Sequence, residues 1–305
     1  MRQSIRGYTD AVIEQASAPG ELTRTANELA GLVALIESSQ ELRSVLTDPN
    51  ISVPSRRAVV TDLLQSQVGS DTLRLVTHVQ AVDRATEFQD DLTWLADRLD
   101  AAARDLESIG EVVLGRHAAE ERVDGYATGV LERVEDRDAL DGIEDELFRF
   151  MRTVMGSDEL QAAVSSRDLP LVARRGLVLD LLRGRASQTT VSLAAYATLV
   201  GRPRDYQDLL SHLVDRVAAE TDRRLADVRT PVDLDATRRQ HLAAALGRIA
   251  GRPVDVRVTV DPAVLGGFVA TIGDTVVDGS IRHRLDLLKE RLAVPEAEIT
   301  SGDPS

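Results

Sequence analysis

Two aspartates and four of the chain's 20 glycines crowd the stretch LGGFVATIGDTVVDGSIRHRL, residues 265–285. Three chemistries use such residues: a phosphate-cradling loop, a divalent-metal site, or the turns of a small sheet. A phosphate loop needs the spacing G-x-x-x-x-G-K-[ST], with a lysine reaching the outer phosphates. The one lysine of the chain, Lys289, lies beyond the last of these glycines, and the dinucleotide spacing G-x-G-x-x-G does not occur. Asp274 and Asp278 could contribute to a metal site, but aspartates flanking a tight turn more often accept nearby backbone amides. The turn reading is therefore the expectation. DRDALDGIEDEL (residues 136–147) looks superficially like a calcium loop, yet counting back from Gly142 puts Arg137 where the first aspartate must stand. It reads as a charged helix start.

The remaining candidates for chemistry fare no better. The five histidines, His78, His117, His212, His241 and His283, fall in no H-x-x-x-H pair, and no G-x-S-x-G elbow appears. With no cysteine there is no thiolate nucleophile, cysteine metal site or disulfide. The paired arginines Arg56-Arg57 and Arg174-Arg175 could bind anions, but are expected on solvated helix faces beside local carboxylates. The residues thus predict no catalytic, cofactor or metal site, and no cofactor.

The elements that carry these residues follow from composition and periodicity. Across 305 residues, 43% hydrophobic but only 3% aromatic, aliphatic helix seams are favoured over aromatic-rich sheets. A net charge of −14 opposes duplex nucleic acid or an anionic membrane surface as main partner. The longest apolar runs, residues 29–36 and 264–272, are far below the roughly 20 residues that span a bilayer, and the start MRQSIRGYTD has no apolar signal core. A soluble chain is expected, reaching a membrane only through another protein.

A repeat organises most of the length. RGYTDAVIEQA from Arg6 returns as DGYATGVLERV from Asp124, an offset of 118 that also carries RRAVVTDLL (56–64) onto RRGLVLDLL (174–182), and Arg84 onto Arg202. One ungapped register over about a hundred residues is a tandem duplication. In the first copy, helical spacing covers roughly 5–17, 21–38, 40–47, 54–67, 70–82 and 87–107, broken at Pro19-Gly20, Asp48-Pro49-Asn50 and Gly69. The texture then changes. VDVRVTV (254–260) alternates as a strand, and GGFVATIGDTVVDG offers two short strands joined at Gly273-Asp274. Between them a helix places Leu242, Leu246 and Ile249 on one face, and Ser280 can cap a last helix burying Ile281, Leu285, Leu288 and Leu292. The fold class predicted is mostly α: two tandem six-helix bundles at 1–107 and 116–225, a small α+β domain at 226–295, and a polar tail at 296–305.

The glycine-rich stretch resembles the C-terminal signature of the delta subunit of F-type ATP synthases, the bacterial counterpart of the oligomycin-sensitivity-conferring protein. The matching positions are Gly267, Gly273-Asp274, Val276-Val277, Asp278-Gly279-Ser280, Arg284-Leu285 and Leu288. The likeness extends back to about residue 116, and the first hundred residues duplicate the family's helical domain. The resemblance implies a non-catalytic peripheral-stalk adaptor on the cytoplasmic face of a bacterial plasma membrane. It would join the N-terminal segments of the alpha subunits to a membrane-anchored b-type stalk subunit, with a helical scaffold of another complex as the alternative. The signature residues are then structural or stalk-binding. The second copy, directly continuous with the α+β domain, is expected to hold the head. It alone carries Phe148, Phe150 and Tyr196, which stand at Ala30, Leu32 and His78 in the first copy and could line a partner groove.

Overall fold

The computed structural model describes residues 2–104, 112–134, 136–250, 254–264, 266–272 and 275–279. The chain divides into two compact units, 1–218 and 219–305. The first copy supplies α1 (Gln3–Gln15), α2 (Pro19–Ser38), α3 (Gln40–Thr47), α4 (Val53–Leu64), α5 (Ser70–Val82) and α6 (Phe88–Arg104). The second supplies α7 (Arg116–Leu131), α8 (Arg137–Met155), α9 (Asp158–Ser165), α10 (Leu171–Leu182), α11 (Gln188–Val200) and α12 (Tyr206–Arg224). Among the described residues no helix is long and apolar enough to cross a membrane.

Local chemistry accounts for the helix boundaries. Prolines occupy the first turns of α2 and α4, where the missing N–H costs nothing. Ser39 and its mate 118 positions on, Ser157, cap α3 and α9 by accepting the amides of Leu42 and Leu160 at 3.2 and 3.3 Å. Asp136 caps α8 through the Asp138 amide, so the charged stretch there is the helix start its sequence suggests. Glu28 reaches across to the N-terminus of α5, accepting from the Gly69 amide at 2.9 Å and from Thr72. Its mate Glu146 does the same at α11 with Ser187 and Thr190. These carboxylates sit where the helix dipole favours negative charge.

Each copy has its own core. Leu22, Leu29, Leu32, Ile36, Leu75, Leu92 and Leu95 centre the first; Leu140, Leu147, Phe150, Leu193, Leu209 and Leu213 centre the second. One arginine of each repeated pair departs from expectation, while Arg57 is exposed and Arg175 lies near the Glu14 carboxylate at 3.8 Å. Arg56 and Arg174 are only 5% and 4% exposed, rather than solvated. The Arg56 guanidinium donates to the carbonyls of Ile51 (2.5 Å) and Asp48 (3.1 Å), tying down the loop before α4. An RR pair on a short helix does not disclose which arginine turns inward.

The second unit carries β1 (Leu225–Thr230), α13 (Ala236–Ala250), β2 (Asp255–Val260), β3 (Val269–Ile272) and β4 (Thr275–Asp278), in the sheet order β2-β1-β3-β4. β1 and β2 are parallel, so α13 serves as the crossover, while β1–β3 and β3–β4 are antiparallel. The central strand β1 is absent from the sequence expectation. Its inner face is Ala226, Val228 and Thr230, small or polar residues that give a faint alternation despite near-complete burial. α13 differs too: Leu246 enters the core with Leu242 against it, but Ile249 is 60% exposed. The final helix expected from Ser280 lies outside the described residues.

Candidate binding surfaces

The two copies meet along α1 and α7, which lie side by side in parallel at very short range. A Cβ on Gly7 would stand 1.9 Å from the Arg122 carbonyl oxygen, and one on its mate Gly125 would stand 1.8 Å from that of Ser4. Gly129 meets the Ala11 methyl in the same way at 2.9 Å. Only glycine permits two helix backbones this close. Around them the contacts repeat with near-twofold symmetry. The Tyr8 hydroxyl donates to Glu132, and the Tyr126 hydroxyl, 118 positions on, donates to Glu14, whose own mate is Glu132.

The symmetry breaks at one side of the seam. Arg122 donates to Asp10 through Nη2 at 2.7 Å and Nε at 3.1 Å, while the Tyr196 hydroxyl donates to the same carboxylate oxygen at 2.6 Å. Both charges are buried, at 4% and 9% side-chain exposure. Burial opposes the Arg122 charge, but Tyr196 and Asp10 outweigh it and raise its pKa. Burial, then Asp10, pushes the Tyr196 hydroxyl well above its ordinary value, so it stays a donor. The mates of Arg122 and Tyr196 are Ser4 and His78, joined by a 3.1 Å hydrogen bond. Burial holds His78 down at about 4, and the neutral ring stacks on Tyr8 at 4.4 Å. His212 goes the other way: its 2.8 Å hydrogen bond to Asp124 raises its pKa.

This geometry separates the three aromatics expected to share a groove. Tyr196 is 1% exposed, stacked on Tyr126 with ring centres 3.7 Å apart, and belongs to the seam between copies. Phe150 is 5% exposed in the second core. Phe148 alone of the three faces solvent, at 47%, with Met155 two turns along α8 at 52%. At the mates of these two, the first copy has Ala30 and Glu37, so an apolar stripe on this helix is particular to the second copy. The seam residues Asp10, Glu14, Arg122 and Glu132 escaped the sequence reading, although the Gly-Tyr pair and the glutamate recurring at the 118-residue offset were the available signal.

In the second unit, Gly266 and Gly267 adopt φ of 71° and 77°, a left-handed turn into β3 that a side chain would strain. Asp278 ends β4, and the Gly279 amide donates to the Phe268 carbonyl at 2.9 Å. Gly279 is not at positive φ; its constraint is the Phe268 ring, whose nearest atom would stand 3.0 Å from a Cβ. A tight turn is therefore not what requires glycine there. Gly273, Asp274, Ser280, Arg284, Leu285 and Leu288 lie outside the described residues. Among the described residues no group of three or more His, Asp or Glu could hold a metal ion.

Comparison with known proteins resolves the duplication. The family model for the ATP synthase delta (OSCP) subunit matches residues 5–109 and again residues 123–292. The chain belongs to the ATP synthase delta (OSCP) family. The relatives match it over most of its length. The ATP synthase subunit delta of Streptomyces avermitilis is 34% identical over 288 residues, 94% of each chain. That of Kineococcus radiotolerans is 35% identical over 92% of this chain and 91% of its own. For Thermobifida fusca the figures are 33%, 88% and 89%. Family membership also accounts for the lack of catalytic spacing in the sequence, because the delta subunit is a structural subunit of its complex.

Proposed function

We propose that this chain couples the catalytic head of an F-type ATP synthase to its membrane-anchored stalk, the helical unit holding alpha-subunit N-terminal segments and the C-terminal unit holding a b-type stalk subunit. Membership of the delta family makes it a non-catalytic peripheral-stalk subunit, and the match to delta relatives over more than nine-tenths of the chain is the observation that carries the reading. Held at both ends, such a subunit keeps the head from turning with the central shaft, at the cytoplasmic face of the plasma membrane. It reaches the membrane only through the stalk and has no role with nucleic acid.

The second copy is the principal grip on the head. It continues directly through α12 into the second unit, and it alone presents the Phe148–Met155 stripe, which suits an amphipathic partner helix. The extra first copy packs against α7 and covers the Tyr126–Tyr196 face, so the head-binding surface lies on the exposed side of α8. A scaffold role in another complex has no comparable support. The test uses the full chain, an alpha N-terminal peptide and a soluble b-type stalk fragment. Phe148→Glu should weaken the peptide by about tenfold, roughly one hot-spot contact, and leave the stalk fragment unaffected. Unchanged peptide binding by a folded Phe148→Glu chain contradicts the assignment.

A further inference from the structure

At the far corner of the second copy a cavity of about 440 Å³ opens between the loop before α10 and the Arg202-Pro203 corner that follows α11. Three guanidiniums line it, Arg167, Arg174 and Arg202, and no carboxylate is among its described lining residues. Its mouth is apolar: Val113 and Leu169 are 63% and 39% exposed on the lining, and Val172, next in sequence to the lining residue Leu171, is 82% exposed. The volume falls within the range of specific ligand sites.

The duplication provides an internal comparison. At the equivalent corner of the first copy, Arg56 and Arg84 are kept, but Pro49 stands at the mate of Arg167 and Asp83 at the mate of Gly201. The first-copy pocket that shares Arg56, Arg84 and Ala85 with this corner encloses no space for a water molecule, and its lining includes Asp83. Relative to the first copy, the second has glycine in place of this acid, a further arginine and a cavity.

We infer that this cavity is a docking site for an acidic, aliphatic-flanked segment of a partner polypeptide, whose carboxylates enter between Arg167 and Arg202 while its apolar residues cover Val113, Leu169 and Val172. Charge complementarity selects the anion, since guanidiniums bind carboxylates in paired, directional hydrogen bonds. The apolar mouth selects a polypeptide over a free inorganic anion, which gains nothing from an aliphatic rim. The site lies apart from the Phe148–Met155 stripe and rests on the adaptor reading only in that its occupant is a subunit of the same complex.

The experiment exploits the absence of cysteine. Val172→Cys in the full chain, labelled with a photo-activated cross-linker, is assembled into the purified synthase, and the linked peptide is identified by mass spectrometry. A second label at Val59→Cys in the first copy serves as control. The expected result is a link from position 172 to another subunit, within one helical turn of an aspartate or glutamate. Arg167→Glu with Arg202→Glu should cut its yield roughly tenfold, in line with losing a charge-assisted contact, and leave the control unchanged. A link to a segment without acids, a link indifferent to charge reversal, or no link from position 172 overturns the inference. Recovery of the labelled chain in the synthase is read separately, so failure of the adaptor reading is distinguished from failure of this site.

Discussion

Gly7 and Gly125 show how much one missing side chain can determine. Each lets a carbonyl of the facing helix approach to within 2 Å of where a Cβ would sit, so Gly125→Ala must force α1 and α7 apart. Overpacking of this kind typically costs about 1–3 kcal/mol, and the urea midpoint should fall accordingly. Gly31 and Gly142 are helical with nothing within 4 Å of an added Cβ, and alanine there should raise the midpoint by the equivalent of about 0.4–1 kcal/mol. If Gly125→Ala proves as stable as the parent, the close seam is wrong. A second residue-scale prediction concerns Asp91, which is 3% exposed. Burial, then hydrogen bonding and repulsion from Asp83, raise its pKa to about 7. An aspartate raised in the folded state binds its proton more tightly there than in the unfolded chain, whose value is about 3.9. Its contribution therefore falls as pH rises from about 4 to about 7. His78, lowered to about 4 by burial, opposes this over roughly pH 4–6.5, because the unfolded chain takes up the proton first. The stability difference between wild type and Asp91→Asn should thus shift in favour of Asn as pH rises from 5 to 8. A pH-independent difference refutes the raised Asp91 pKa.

The elements were legible where periodicity and breakers agreed, and obscure where burial left no trace in residue type. All twelve bundle helices follow from apolar spacing and from proline, glycine and serine at their ends, because helix amphipathicity and capping are local properties. β1 was hidden because a central strand whose inner face is alanine, valine and threonine carries little hydrophobic contrast, and its partners come from tens of residues downstream. The same limit applies to Tyr196. An aromatic in the second copy with a histidine in the first reads as a groove residue, whereas its place is fixed by α1, nearly two hundred residues earlier in the chain. Nothing in the sequence set the exposed Phe148 apart from the buried Phe150 and Tyr196; only the structure does. β1 also defines a test at this scale. Val228 is 1% exposed at the centre of the sheet, so Val228→Asp should abolish the β structure of the second unit. The helical far-ultraviolet signal of the bundles should persist. Simultaneous loss of both would show that the two units do not fold independently.

For the molecule as a whole, the duplication did more than lengthen the chain. Matching residues of the two copies exchange matching contacts across α1 and α7, as in a twofold dimer built within one polypeptide. The copies also differ: a buried Asp10–Arg122–Tyr196 cluster fixes one side of the seam, and the second copy has a cavity lined by three arginines where the first has Pro49 at the mate of Arg167. In the reading proposed above, one copy serves as a brace and the other as a binding platform, within a subunit whose family makes it part of the peripheral stalk. The most direct test of that account is ATP-driven proton pumping in inverted membrane vesicles depleted of this chain and then resupplied with it. Depleted vesicles should keep the hydrolytic activity of the head but lose pumping, and the purified chain should restore it. Pumping that survives full depletion, or that the added chain fails to restore while other subunits are intact, would contradict the stator role.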